Sequence, residues 1–132
     1  MNRHVISSEE LPAAVGPYSH GIRVSDLVFT SGQLPVDPAT GEFPQGVEAQ
    51  ARQSLANLKT VLEAGGSGMA DVIKTTVFLK DINDFATVNE VYAEAFAGMV
   101  FPARSAFAVD ALPKGALVEI EAIALVGQQA SN

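Results

Sequence analysis

The chain turns on the run Phe101-Pro102-Ala103-Arg104-Ser105, the mixed apolar segment to Leu112-Pro113-Lys114-Gly115, and Leu117-Val118-Glu119-Ile120-Glu121-Ala122-Ile123-Ala124. Two alternating segments joined at a Pro/Lys/Gly turn predict a pair of adjacent strands. On a period of two, Val118, Ile120, Ala122, Ala124 and Val126 form one wholly apolar face that belongs against a core. The opposite face is Leu117, Glu119, Glu121, Ile123 and Leu125. A face left in water would be polar throughout, so two carboxylates among large aliphatics predict a seam covered by another subunit. Arg104, just after a proline, is expected to face the same seam, where its planar fork suits a carboxylate.

Working outward, Asp71–Lys80 is rich in β-branched residues and predicts a strand. Val47, Ala51, Leu55, Leu58 and Leu62 recur at helical spacing and stop at Gly65-Gly66, where glycine can end a helix in the left-handed conformation. A second helix follows, with Asn83 as its expected N-cap and Phe85, Val88, Tyr92 and Phe96 along its buried stripe. Towards the N-terminus, Arg3–Ser7 predicts a first strand, and Gly21–Ser31 a hairpin turning at Ser25-Asp26. Between them, Gly16-Pro17 forces an irregular loop that carries Tyr18. Asp37–Gly41 is a plain turn with too few carboxylates for calcium, and Gln128–Asn132 is expected to be a frayed tail. The order is β-β-β-α-β-α-β-β in a single α+β domain over residues 1–132, a sheet with both helices on one face and the other face left for partners.

Composition narrows the function. With 132 residues there is room for one core. A hydrophobic fraction of 48% and a mean hydropathy of +0.22 are high for so short a chain, and oligomerisation relieves that exposure. Lys+Arg 8 against Asp+Glu 15 gives a net charge of -7, which makes nucleic acid an unlikely partner. The chain has no cysteine, which removes disulfides and thiolate chemistry. No signal-peptide core or membrane span is present in the pattern, so a cytoplasmic protein without membrane association is expected.

Several motifs, in order, carry a resemblance: Ala13-Ala14-Val15-Gly16-Pro17-Tyr18-Ser19, Thr30-Ser31-Gly32-Gln33-Leu34-Pro35, Gln50-Ala51, Lys74–Leu79, Phe85-Ala86-Thr87-Val88-Asn89, Phe101–Ser105 and Val118–Ala122. Together they span nearly the whole chain, which resembles the RidA/YjgF family of reactive-intermediate deaminases. The resemblance implies a chorismate-mutase-like fold, a homotrimer with sites between subunits, and hydrolysis of enamine/imine intermediates such as 2-aminoacrylate and 2-iminobutanoate to 2-keto acids and ammonia. It implies no cofactor and no metal. By position, Arg104 is similar to the family's substrate-carboxylate arginine and Glu119 to the acid that handles the hydrolytic water. Tyr18, Ser31, Gly32 and Asn89 match pocket positions, and Ala106 stands where close relatives often carry cysteine, its contact expected through the backbone. The segment Ala97–Val100 is shorter than in some relatives, which bears on the pocket rim.

Each residue also has a plainer reading. Arg104 with Glu119 matches a structural ion pair, Tyr18 a packing aromatic, Ser31-Gly32 a tight strand end, and Asn89 a structural helix residue; Glu121 reads as part of the subunit contact, and His4 and His20 as surface or loop histidines. Imine hydrolysis needs a carboxylate anchor, a positioned water and a group that moves protons, which Arg104 and Glu119 can supply. Desolvation would raise the Glu119 pKa and a nearby arginine would lower it, and sequence does not choose between them. Two alternatives use the same cleft: a 2-keto-acid binding protein without turnover, or a deaminase of another enamine such as an aminomuconate. A ribonuclease reading fits poorly with the charge of -7.

Overall fold

In the computed structural model, which describes residues 2–127, eight main elements follow one another: β1 Arg3–Ile6, β2 Gly21–Val24, β3 Leu27–Thr30, α1 Val47–Ala64, β4 Val72–Leu79, α2 Phe85–Ala95, β5 Ala103–Ala108 and β6 Val118–Leu125. The expected order and both helices are present. The tail expected at Gln128–Asn132 lies outside the described residues.

The strands form one six-stranded sheet in the order β1-β2-β3-β6-β4-β5. One expectation fails here. The strands β5 and β6 both form, but β4 lies between them, pairing parallel with β5 and antiparallel with β6. The cause is topological: β5 returns beside β4 after the α2 crossover, and parallel neighbours need such a long connection. The Pro113–Gly115 turn therefore carries the chain across β4 rather than closing a hairpin.

Helix α1 forms because its apolar residues fall on one stripe. Ala51, Leu55, Leu58 and Leu62 are all buried, and full burial of one such leucine contributes about 1.5–3 kcal/mol. Gly66, at φ 82, ends the helix, with Ser67 N–H donating to the Leu62 carbonyl at 2.8 Å. Helix α2 buries Val88, Val91 and Tyr92, and Phe96 just beyond it is fully buried. Its expected cap is corrected: α2 has Asp84 at its N-cap, without a side-chain hydrogen bond, while Asn83 lies in a short 3-10 turn before the helix, a turn capped by Asp81, which accepts from the Asn83 N–H. On β6 Val118, Ile120, Ala122 and Ala124 are buried against the helices, as the period of two predicts, while Leu117, Glu119, Glu121 and Ile123 on the other face are only partly covered. That second face continues through Phe29 and Phe107, which are 39% and 44% exposed.

Candidate active site

Arg104 sits on the edge strand β5, opposite Thr75 of β4. Thr75 is buried beneath α2, so paired side chains place Arg104 on the helix side of the sheet. Its guanidinium donates to Asn89 Oδ1 at 2.7 Å and lies 4.9 Å from the Tyr92 ring centroid and 5.4 Å from that of Phe85. The contacts to two aromatic faces fit a cation–π arrangement and aim the fork. Tyr92 is in turn fixed by a 2.7 Å hydrogen bond between its hydroxyl and the Thr75 hydroxyl. Burial raises the phenol's pKa, against the opposing effects of Thr75 and Arg104. An open depression beside them is lined by Asn89, Tyr92, Ala93, Phe101, Pro102 and Arg104. Phe101, 59% exposed, brings the short segment after α2 into its wall. Ala106, on the same face as Arg104, pairs with Val77 and packs against the core.

Glu119 belongs to the other side. It pairs with Phe78, which stacks edge-on with Phe107 at 5.3 Å on the face away from the helices. Arg104 and Glu119 are therefore on opposite faces of one sheet, separated by β4, and the expectation that they share a seam on adjacent strands does not hold within one chain.

A bulge shapes the surroundings of Glu119. Phe29 pairs with Ile123 and Gln33 with Ile120, so three residues of one strand oppose two of the other. The Ala122 N–H takes the Thr30 hydroxyl as its acceptor at 3.0 Å in place of a ladder carbonyl. The extra residue brings Gly32 against Glu119, so closely that a Cβ at Gly32 would stand 2.7 Å from the carboxyl carbon. Ser31 ties this bulge to the Tyr18 loop: its hydroxyl donates to the Ser19 carbonyl at 2.6 Å and its N–H to the His20 carbonyl at 2.8 Å. Tyr18 is 42% exposed and lies edge-on to His20, with centroids 6.0 Å apart.

Within one chain, the Glu119 carboxyl titrates above the ordinary glutamate value, first because it is partly buried and second because Glu121 is close. Desolvation thus prevails, and Arg104 of the same chain lies across the sheet. Glu119 lies against Gly32, which Ser31 ties to the Tyr18 loop, whereas Arg104, Asn89 and Ala106 lie together on the helix side of the sheet.

Three hydrogen-bonded polar residues carry no conspicuous signal in sequence. Gln33, 2% exposed, holds the bulge through its Nε2, which donates to the Ser31 carbonyl at 3.1 Å. Gln50 of α1 accepts from the Leu117 N–H at 2.9 Å and so fixes the start of β6, just before Glu119. His20 lies in a loop, as expected, yet its ring is half-buried and bonded. A buried polar residue inside a motif was the available sign for the two glutamines.

No group of three or more His, Asp or Glu among the described residues is placed to hold a metal ion, and no helix among them is long and apolar enough to cross a membrane.

Comparison with known proteins adds to this geometry. A family model described as "Endoribonuclease L-PSP" matches residues 8–126. The chain is 53% identical over 122 residues to the 2-iminobutanoate/2-iminopropanoate deaminase of Escherichia coli K12, covering 91% of this chain and 95% of that protein. It is 51% identical over 126 residues to a Bos taurus protein of the same name, covering 95% and 91%. The crystal structure of the YjgF gene product from E. coli is similar with a TM-score of 0.90 and 52% identity, covering 92% of this chain and 98% of that one. That of E. coli TdcF with bound serine gives a TM-score of 0.91 and 48% identity, covering 94% and 99%.

Proposed function

The chain belongs to the endoribonuclease L-PSP family, the RidA/YjgF proteins, and on that premise we propose that it hydrolyses 2-iminobutanoate and 2-iminopropanoate to 2-keto acids and ammonia. The observation that carries this reading is the identity of more than half the aligned residues with deaminases of that name. The site chemistry is compatible with it. Arg104, aimed by Asn89 and two aromatic rings, is a two-pronged donor for the substrate carboxylate. Glu119 is the proton carrier. As a carboxylate it takes a proton from water as the oxygen adds to the C=N carbon, and protonated it returns that proton to nitrogen to give the carbinolamine; it then carries the carbinolamine hydroxyl proton to nitrogen as the C–N bond breaks and the C=O bond forms, releasing keto acid and ammonia.

The two halves of the site meet only between chains. Because Arg104 and Glu119 lie on opposite faces of one sheet, the complete constellation takes Arg104, Asn89 and Ala106 from one subunit and Tyr18, Ser31, Gly32 and Glu119 from a neighbour. A homotrimer closes such a heterologous contact into a ring. The half-covered face of Phe29, Phe107, Glu121, Ile123 and Leu125 is the surface available for that contact.

The test couples a threonine dehydratase to this protein and follows 2-keto acid release with semicarbazide as a competing trap. Faster release with wild type, lost in Arg104→Ala and in Glu119→Ala, is the expected result. A folded oligomer that gives no acceleration would favour a ligand-binding role in the same cleft.

A further inference from the structure

Between β1 and β2, residues 7–20 form no helix or strand, yet this segment carries Tyr18. Its first part is anchored by Leu11, which is buried, and its last part by the two Ser31 hydrogen bonds to Ser19 and His20. The middle, Ala13–Tyr18, is exposed. Hydrogen bonds inside that middle are local: Tyr18 N–H to the Gly16 carbonyl at 2.9 Å and Val15 N–H to the Tyr18 hydroxyl at 3.4 Å. Among the described residues, the side-chain link across the loop is the His20 imidazole, whose Nε2 bonds the Pro12 carbonyl at 2.7 Å. A carbonyl only accepts, so the ring proton sits on Nε2. The same ring meets Tyr18 edge-on, 80° out of its plane. Beneath the loop lies a cavity of about 210 Å³, with Tyr18, His20, Gly32, Gln33, Leu34 and Lys114 in its wall. Gly32 is the residue that packs on Glu119.

We propose that His20 is a positioning residue of the active site: it struts the Tyr18 loop closed over this cavity and thereby sets the affinity for the imine. This rests on the deaminase function proposed above. A loop already ordered before binding spares the substrate the entropy of ordering it, so loss of the strut weakens binding more than it slows chemistry.

The test compares wild type with His20→Gln and His20→Phe. Glutamine offers an amide N–H to the Pro12 carbonyl; phenylalanine keeps the edge contact with Tyr18 and has no donor. Kinetics on 2-iminobutanoate generated in situ, and amide hydrogen exchange at Val15 and Tyr18, are the two readouts. In His20→Phe, KM rises about tenfold with kcat within about twofold, and loop exchange accelerates by a similar factor while β6 exchange is unmoved. His20→Gln restores both. Unchanged loop exchange in His20→Phe, or a fall in kcat that glutamine does not rescue, overturns the proposal. Exchange does not depend on turnover, so faster loop exchange alongside an inactive wild type would refute the deaminase function and leave the strut standing.

Discussion

Arg104 and Glu119 project from opposite faces of the same sheet, the arginine towards α2 and the glutamate away from it, with β4 between their strands. The guanidinium's aim is set by its 2.7 Å bond to Asn89. Asn89→Ala should raise KM about five- to tenfold, the loss of one charge-assisted hydrogen bond, with little change in Tm because the pair is exposed. Arg104→Lys keeps the charge but loses the fork, and kcat/KM should fall by about a hundredfold. Steady-state kinetics beside thermal melts would check both; equal losses of Tm and activity would mark Asn89 as merely structural.

Gly32 and Glu119 are too close for a side chain between them. In Gly32→Ala the new methyl meets the carboxyl carbon at 2.7 Å, and the glutamate must turn away. Turnover should drop by at least about tenfold, as small misplacements of reacting groups do, while the protein stays folded. A variant with wild-type kcat would show that the observed Glu119 position is not the working one.

Titration of Glu119 should report on Glu121. A carboxyl whose folded pKa is raised stabilises the fold fully below its unfolded value of about 4.3, and that contribution is lost as pH rises through the folded value. Glu121→Gln removes the second cause of the elevation. The variant should therefore lose less stability than wild type as pH rises above about 4, and the acid limb of kcat/KM should move to lower pH. Denaturant unfolding and rate profiles across that range are the measurements; an unmoved limb would detach Glu119 from it.

Tyr92 and Thr75 share a buried hydrogen bond under the arginine. Tyr92→Phe leaves the Thr75 hydroxyl without its partner and should cost about 1–3 kcal/mol in urea unfolding. A loss below about 0.5 kcal/mol would mean that Thr75 finds another partner.

The elements were legible because each rests on local pattern: the stripe from Ala51 to Leu62, the alternation from Val118 to Ala124, and the glycines after α1. What lay beyond the sequence was lateral. A period of two says which residues of one strand share a face, but not which strand lies alongside, so the insertion of β4 between β5 and β6 and the opposed faces of Arg104 and Glu119 needed the register. The Ser31-Gly32 bulge was equally hidden, since one extra residue leaves no compositional mark. The motif resemblance singled out Arg104, Glu119 and Gly32 as site positions; the contacts that aim them, through Asn89, Gln33 and Gln50, became visible only with the fold.

Imine hydrolysis at a site shared by two chains is tested most directly by complementation. Arg104→Ala and Glu119→Ala subunits, co-expressed in equal amounts and purified together without sorting by composition, should recover about a quarter of wild-type 2-keto acid release, since random assembly joins an intact Arg104 to an intact neighbouring Glu119 at that frequency. Mixed oligomers as inactive as either parent would contradict a site divided between subunits.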